Sequence, residues 1–271
     1  MKILLITGNH SRHLFVQEAV LEAGCECAAI IMEREELLPS PLSYAIDHDK
    51  NNFKRHFADR CEVENTMFGN INPKKLFADI PSIFCTPDKL NSEYTAKFVS
   101  NFSPDLVFIF GPDLIKDPLL SVLPEDRVNL HLGLSPWYRG SATLFWPFYF
   151  LQPQFAGATF HQIVPEADAG GILHQCVPEL QVGDGIHDVA AKVVLQAKND
   201  LKKLIAAYIS GSKWVYKKQN STGRLFLSKD FEPAHLRVIY DTLNNKIVDS
   251  YLNGELGERK PSLVTFLGKN R

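Results

Sequence analysis

The chain has 271 residues, of which 45% are hydrophobic and 22% charged, with a formal net charge of −2 at pH 7. That composition supports a sizeable core and excludes a disordered chain, while the near-neutral balance gives no ground to expect a nucleic-acid or membrane partner. The length allows one large domain, or one domain with a small appendage.

Lys2–Ile6 is a continuous apolar run stopped by Gly8, the pattern of a central parallel strand. Leu14, Ala19, Val20 and Leu21 follow on a helical period to Gly24, and Cys27–Met32 is a second apolar run. This strand–helix–strand order begins a doubly wound sheet. The turn Gly8–His13 falls at the amino end of the first helix, where backbone N–H groups attract anions and Arg12 with two histidines adds donors. An ordinary helix cap by Asn9 or Ser11 explains the same residues. A single glycine is too few for a dinucleotide fingerprint. MKILLIT is broken by Gly8 too soon for a signal peptide or a membrane span.

Glu33–Asn72 is polar and charge-dense, without a strand signal. Within it Phe53 and Phe57 stand at i, i+4, which predicts an amphipathic helix over Asn51–Cys61 with Lys54, Arg55 and Arg60 outward. A solvated face is the plain reading of those charges; the alternative is that Arg55, His56 or Arg60 reaches a ligand. Ser82–Cys85 reads as a short strand, Asn91–Phe102 as a helix and Asp105–Phe110 as a strongly buried strand opening at Gly111-Pro112.

Arg127–His131 is the next strand, and the two-residue period sets Asn129 and His131 on one face. The Leu134–Gly140 loop that follows is rich in turn formers. Ser141–Leu151 is aromatic on every side and predicts a buried helix. Gly157–Ile163 alternates as a strand, with His161 read as a core or supporting residue, and leads to Asp168 and Gly170-Gly171, where a ligand can approach the backbone closely. Ile172–Val177 and Gln181-Val182 are expected strands. Val189–Ile209 is an expected helix capped by Asp184 or Asp188, with Lys198, Lys202 and Lys203 on its polar side. Gly211-Ser212 reads as a linker. Beyond it come a short extended segment, 223–227, and a helix over Pro233–Leu252 whose stripe of Leu236, Ile239, Leu243, Ile247 and Tyr251 could pack on a second subunit, making a homodimer.

The five cysteines, Cys25, Cys27, Cys61, Cys85 and Cys176, are scattered and odd in number. Cys25-x-Cys27 lacks the second pair that a zinc site needs, so free thiols in a reducing cytosol, and a soluble cytoplasmic protein, are expected. Asn129, His131 and Asp168, arriving from two strand ends, could hold a carbonyl, move a proton and orient the imidazole. Taken one at a time they also serve as packing or turn residues. The sequence contains no P-loop, no Gly-x-Ser-x-Gly elbow and no His-Glu-x-x-His or Cys-x-x-Cys spacing.

Asn129-x-His131, then Leu134-Ser135-Pro136-x-Tyr138-Arg139-Gly140, then Asp168-x-Gly170-Gly171, resembles the signature of the 10-formyltetrahydrofolate-dependent formyltransferases, over roughly residues 1–210. Leu132-Gly133-Leu134-Ser135-Pro136 departs from the family's usual run after the histidine, which affects loop detail. The resemblance implies a Rossmann-like doubly wound, mostly parallel α/β sheet for 1–210 with a small α+β carboxy-terminal extension over 211–271, like that of several sugar N-formyltransferases. It implies direct formyl transfer to an amine, with Asn129 and His131 stabilising a tetrahedral oxyanion and Asp168 assisting proton transfer, without a metal. The folate would lie against Phe110, Gly111, Leu114 and Ile115, with Val164 and Glu166. Asn9, His10 and Arg12 would take the acceptor's phosphate, and Tyr138 or Arg139 would border its sugar. A nucleotide-linked amino-deoxysugar is the acceptor implied. Glycinamide ribonucleotide, methionyl-tRNA and a hydroxylated ornithine are the other amines, and a non-catalytic folate or nucleotide-sugar binding protein is the alternative of a different class.

Overall fold

In the computed structural model, residues 1–35, 40–166, 168–219 and 223–267 are described. Positions 36–39 of the polar insert, 167, and 220–222 and 268–271 of the tail lie outside them. The chain opens with β1 (Lys2–Gly8), α1 (Ser11–Leu21) and β2 (Glu26–Met32), then α2 (Asp47–Phe68), α3 (Pro73–Leu76), β3 (Ser82–Cys85), α4 (Glu93–Phe102) and β4 (Leu106–Phe110). It continues with β5 (Arg127–His131), β6 (Tyr138–Gly140), α5 (Trp146–Tyr149), β7 (Ala158–Gln162), β8 (Ile172–Cys176), α6 (Ile186–Ile209), β9 (Arg224–Phe226) and α7 (Ile247–Leu252).

Seven strands form one sheet in the order β3-β2-β1-β4-β5-β7-β8. The pairings from β3 to β5 are parallel, and β5–β7 and β7–β8 are antiparallel. The sheet is doubly wound, mostly parallel α/β, as the continuous apolar runs imply. Ile3, Leu5, Cys27, Ala29, Leu106 and Phe108 face one core with α1 and α6; Leu4, Ile6, Ala28, Ile30, Val107 and Ile109 face the other with α4. Both faces are buried, so neither shows a polar alternation.

Three expected elements differ. Ser141–Leu151 contains only the single turn α5, because Ala142 and Leu151 take left-handed φ of 54° and 55° and Pro147 is confined to a first helical turn. Gln181-Val182 is a turn, with the Val182 side chain exposed. The long tail helix is instead broken into short helical pieces ending in α7, with Asn244 and Asn245 at φ 46° and 58° as the break. Two helices are longer than expected: α2 extends in both directions from Asn51–Cys61, and α6 starts a turn early, with Asp188 Oδ2 accepting from the Gly185 N–H at 2.9 Å.

The tail packs back on the chain. Leu236, Ile239 and Ile247, the core of the stripe expected to face a second subunit, are buried with Phe145, Trp146, Phe155 and Ile186. β9 pairs in parallel with β6, and Phe226 stacks on Trp146 with ring centroids 4.6 Å apart. Helix α2 is fastened to the same segment by polar contacts. Arg237 donates twice to buried Asp49 (2.6 and 2.8 Å), Asn52 donates to Asp241 (3.0 Å), and His56 Nδ1 lies 3.0 Å from the Tyr240 hydroxyl. Among the described residues no helix is long and apolar enough to cross a membrane.

Phe226 is 1% exposed and joins tail to β6. Phe226→Ala is expected to lower unfolding free energy by about 3–5 kcal/mol, read from denaturant midpoints, since truncating a buried aromatic side chain leaves a cavity. A loss under about 1 kcal/mol would mean that the tail is not part of the core.

Candidate active site

The carboxyl ends of β1, β4 and β5 meet at the point where the strand order reverses between β1 and β4, the usual ligand crevice of an open α/β sheet. A cavity of about 300 Å³ lies there, lined by Asn129, His131 and Asp168 together with His13, Thr143 and His161. Antiparallel register sets Asn129 opposite His161 and His131 opposite Thr159, so one face of the β5–β7 pair carries both the carboxamide and two imidazoles.

Asp168 joins these groups. Its Oδ2 accepts from the Gly140 N–H at 2.9 Å and lies 3.4 Å from His131 Nδ1; its Oδ1 lies 3.3 Å from His161 Nε2. Burial alone would raise its pKa, but the charged forms of His131 and His161, with the Gly140 amide, outweigh burial and place the carboxyl well below the usual carboxylate range. The residue sits at φ 51°, a left-handed conformation that Asp tolerates better than most, and Gln219 Nε2 donates to its carbonyl at 2.8 Å.

His131 Nε2 is 3.0 Å from the Tyr138 carbonyl. A carbonyl only accepts, so Nε2 carries the proton and Nδ1 is the atom turned to Asp168. Burial lowers the His131 pKa, opposed by the Asp168 carboxylate. The ring fits because residue 133 is glycine: a Cβ there would fall 2.5 Å from His131 Nε2. His161 Nδ1 is 3.0 Å from the Gln162 carbonyl, which leaves Nε2 of the neutral ring to accept from Asn129 Nδ2 at 3.1 Å.

Of the other residues singled out from sequence, Phe110, Gly111, Leu114, Ile115, Val164 and Glu166 all line this cavity. Its apolar side, Ile109, Phe110, Ile115, Ile163 and Val164, suits a flat heterocycle. Gly111 has a further role: at φ 86°, with a would-be Cβ 2.3 Å from the His13 ring, it makes room for that histidine. Arg12 lines the same cavity but donates through Nη1 to both carboxylate oxygens of Glu64 (2.8 and 2.9 Å). Asn9 and His10 do not line it; the Asn9 carboxamide instead exchanges two 3.1 Å hydrogen bonds with the Arg34 backbone, tying the ends of β1 and β2. The Tyr138 side chain turns away to a small separate cavity beside Arg224 and Arg259 and donates to Gln152, leaving only its carbonyl at the site. Arg139 is half-buried beside β9 and does not line the cavity either.

A second cavity, about 390 Å³, adjoins the first and shares Arg12, Leu132 and Thr143 with it. Its other walls come from α2 (His56, Phe57, Arg60), α6 (Ile186, His187, Ala190) and the tail (Ser228, Phe231). Sequence reading takes His13 only as one of the donors of the Gly8–His13 turn, and leaves Thr143 and His187 unassigned. Only the His161 position, across from Asn129 on an alternating strand, carries a usable signal. Among the described residues no cluster of three or more His, Cys, Asp or Glu could hold a metal ion.

No family model matches the sequence. Solved structures do match. A sugar N-formyltransferase from a Shewanella species aligns with a TM-score of 0.57 at 18% identity, over 85% of this chain and 78% of that one. The fold is that of the formyltransferases. Phosphoribosylglycinamide formyltransferase from Anaplasma phagocytophilum aligns with a TM-score of 0.53 at 18% identity, over 83% and 96% of the two chains. An N-formyltransferase from Helicobacter canadensis, solved with folinic acid and dTDP-3-aminofucose, aligns with a TM-score of 0.54 at 18% identity, over 86% and 73%.

Buried histidines give the region a pH response. Burial and the Arg60 charge lower His187 to about 4, and burial, His187 and Arg60 hold His56 well below its ordinary value. The unfolded chain takes up protons near pH 6.5 that the folded chain refuses, so stability is full above 6.5 and falls as pH drops toward the folded value. For His187 alone the loss between pH 6.5 and 5 is roughly 2 kcal/mol. His187→Gln should shrink the fall in unfolding free energy over that range by about this amount; an unchanged fall would show that His187 titrates freely.

Proposed function

We propose that this protein transfers a formyl group from 10-formyltetrahydrofolate to the primary amine of a nucleotide-linked amino-deoxysugar. The observation that carries the reading is the convergence of Asn129, His131 and Asp168 on one cavity, beside an apolar slot lined by Phe110, Ile115 and Val164. The likeness to folds whose members include a sugar N-formyltransferase solved with a reduced folate and a nucleotide sugar supports it.

In the reaction the amine lone pair forms a bond to the formyl carbon, the bond from that carbon to N10 of the folate breaks, and the amine's proton ends on N10. The products are a formamide and tetrahydrofolate. Charge develops on the formyl oxygen, and Asn129 meets it: one Nδ2 hydrogen is held by His161 Nε2, which fixes the carboxamide and leaves the other for the substrate. His131 has its Nε2–H committed to the Tyr138 carbonyl, so the neutral ring accepts a proton at Nδ1, where Asp168 favours the charged form. The donor role for His131 therefore follows proton uptake: the imidazolium offsets the oxyanion and then returns the proton to the leaving nitrogen.

Asn129→Ala, His131→Ala and Asp168→Ala are each expected to lower the turnover number of formyl transfer by about 10²–10³, the usual effect of removing a preorganised donor, in variants whose circular dichroism matches the parent chain. Near-parental turnover in the His131 variant would remove it from the chemistry.

A further inference from the structure

The small cavity into which the Tyr138 ring turns shares no lining residue with the other two and measures about 210 Å³. Strand register explains its walls. β6 and β9 pair in parallel, with Tyr138 opposite Arg224 and Gly140 opposite Phe226. Paired residues, like alternate residues along a strand, put their side chains on one side of the ladder. Tyr138, Arg224 and Phe226 therefore share a face, on which the two rings stack at 5.9 Å. Trp137, just ahead of β6, adds to the wall and meets buried Phe155 edge to face at 5.5 Å. Arg259 reaches the same cavity from the C-terminal segment, where its carbonyl accepts from Gln154 Nε2 at 2.7 Å.

This lining carries two positive charges and no negative one. Arg12, Arg34, Arg55 and Arg237 each pair with a carboxylate. Among the described residues Arg224 and Arg259 do not: their guanidinium groups lie over rings, 4.6 Å from the Phe226 centroid and 5.4 Å from that of Phe155. Two like charges at one small cavity repel each other. A guanidinium stacked on a ring still has its fork of N–H donors free for a carboxylate or phosphate. Phe150, which also lines the cavity, keeps 39% of its surface in water. Size narrows the occupant. The space exceeds the roughly 150 Å³ that takes up benzene and falls short of the roughly 300–1,000 Å³ of sites for larger ligands, so it fits one ring and a small charged group.

We propose that this cavity is a binding site for a single-ring aromatic anion, a carboxylate or phosphate attached to one six-membered ring. The ring lies among Trp137, Phe155 and Phe226, and its oxygens meet Arg224 and Arg259. The assignment stands apart from the formyl-transfer reading, whose side chains line a different cavity.

Nitrogen-15 NMR titration of the full chain tests it, following the Trp137 indole N–H (assigned with Trp137→Phe) at low ionic strength, where exposed charges are least screened. Benzoate and phenyl phosphate are the probes, benzamide is the uncharged ring, and acetate and inorganic phosphate are the anions without a ring. Benzoate or phenyl phosphate is expected to shift that signal saturably at millimolar concentration. It should bind about tenfold more tightly than benzamide, the gain of a charge-assisted hydrogen bond over a neutral one. The ratio of the two probes tells carboxylate from phosphate. Arg224→Gln together with Arg259→Gln should bring the tighter probe down to the level of benzamide. Arg224→Lys together with Arg259→Lys, which keeps the charge without the fork, should preserve part of the preference. Both side chains are exposed, so circular dichroism should match the parent chain in each variant. No shift with either probe would overturn the assignment, as would benzamide or the matching ringless anion binding equally well, or unchanged affinity in the double Gln variant. The guanidinium groups would then only shield the rings from water.

Discussion

The Asp168 carboxylate is carried into a wall from which water is largely excluded, and the groups that meet it there come from different stretches of chain. His131 arrives on β5, His161 on β7, and the Gly140 N–H on β6. A buried carboxylate is unfavourable unless it is paired or hydrogen-bonded; here the Gly140 N–H donates to it, and a proton taken up by either imidazole would pair with it, so these segments must meet in one arrangement. The left-handed backbone at Asp168 is tolerated within the same set of contacts. Fixing one charge thus fixes the positions of both imidazoles and, through His161, of the Asn129 carboxamide.

The sheet places this arrangement and the additions around it shape what can enter. Parallel strands up to β5 bring the first helix and the β4 turn to the same edge, and the switch to antiparallel pairing at β7 returns a strand alongside β5 so that Asn129 and His161 stand opposite each other. The polar insert and the tail are far apart in sequence but share ion pairs and an aromatic cluster, and together they wall the adjoining cavity. The cavity that holds Asn129, His131 and Asp168 is therefore built largely from the sheet, and the adjoining one largely from the parts that lie outside it.

The central strands are legible in the sequence because residues buried on both faces leave unbroken apolar runs, as in Lys2–Ile6 and Asp105–Phe110. Asn129, His131 and Asp168 are legible as a motif, and the residues expected near the folate line the same cavity. What escapes is set by tertiary context. A stretch with apolar residues on every side, such as Ser141–Leu151, has no periodicity with which to announce that left-handed residues close it at both ends. Nothing local tells that the tail's apolar stripe is covered by the chain itself, or that Asn9 bonds to Arg34 and Tyr138 turns its ring toward Phe226. His187 stands alone in sequence, and only packing against His56 gives it a place, while His13, grouped in sequence with His10 and Arg12, is buried against Gly111.

The proposed transfer turns on the proton held at His131, and nitrogen-15 NMR of the histidine rings across pH 4 to 8 reads it directly. The predicted result is a neutral His131 ring at pH 7 with its hydrogen on Nε2, staying neutral below pH 6.5, and a change in its titration when Asp168 is replaced by Asn. A His131 ring that carries its hydrogen on Nδ1, or that titrates near 6.5 regardless of residue 168, would contradict it.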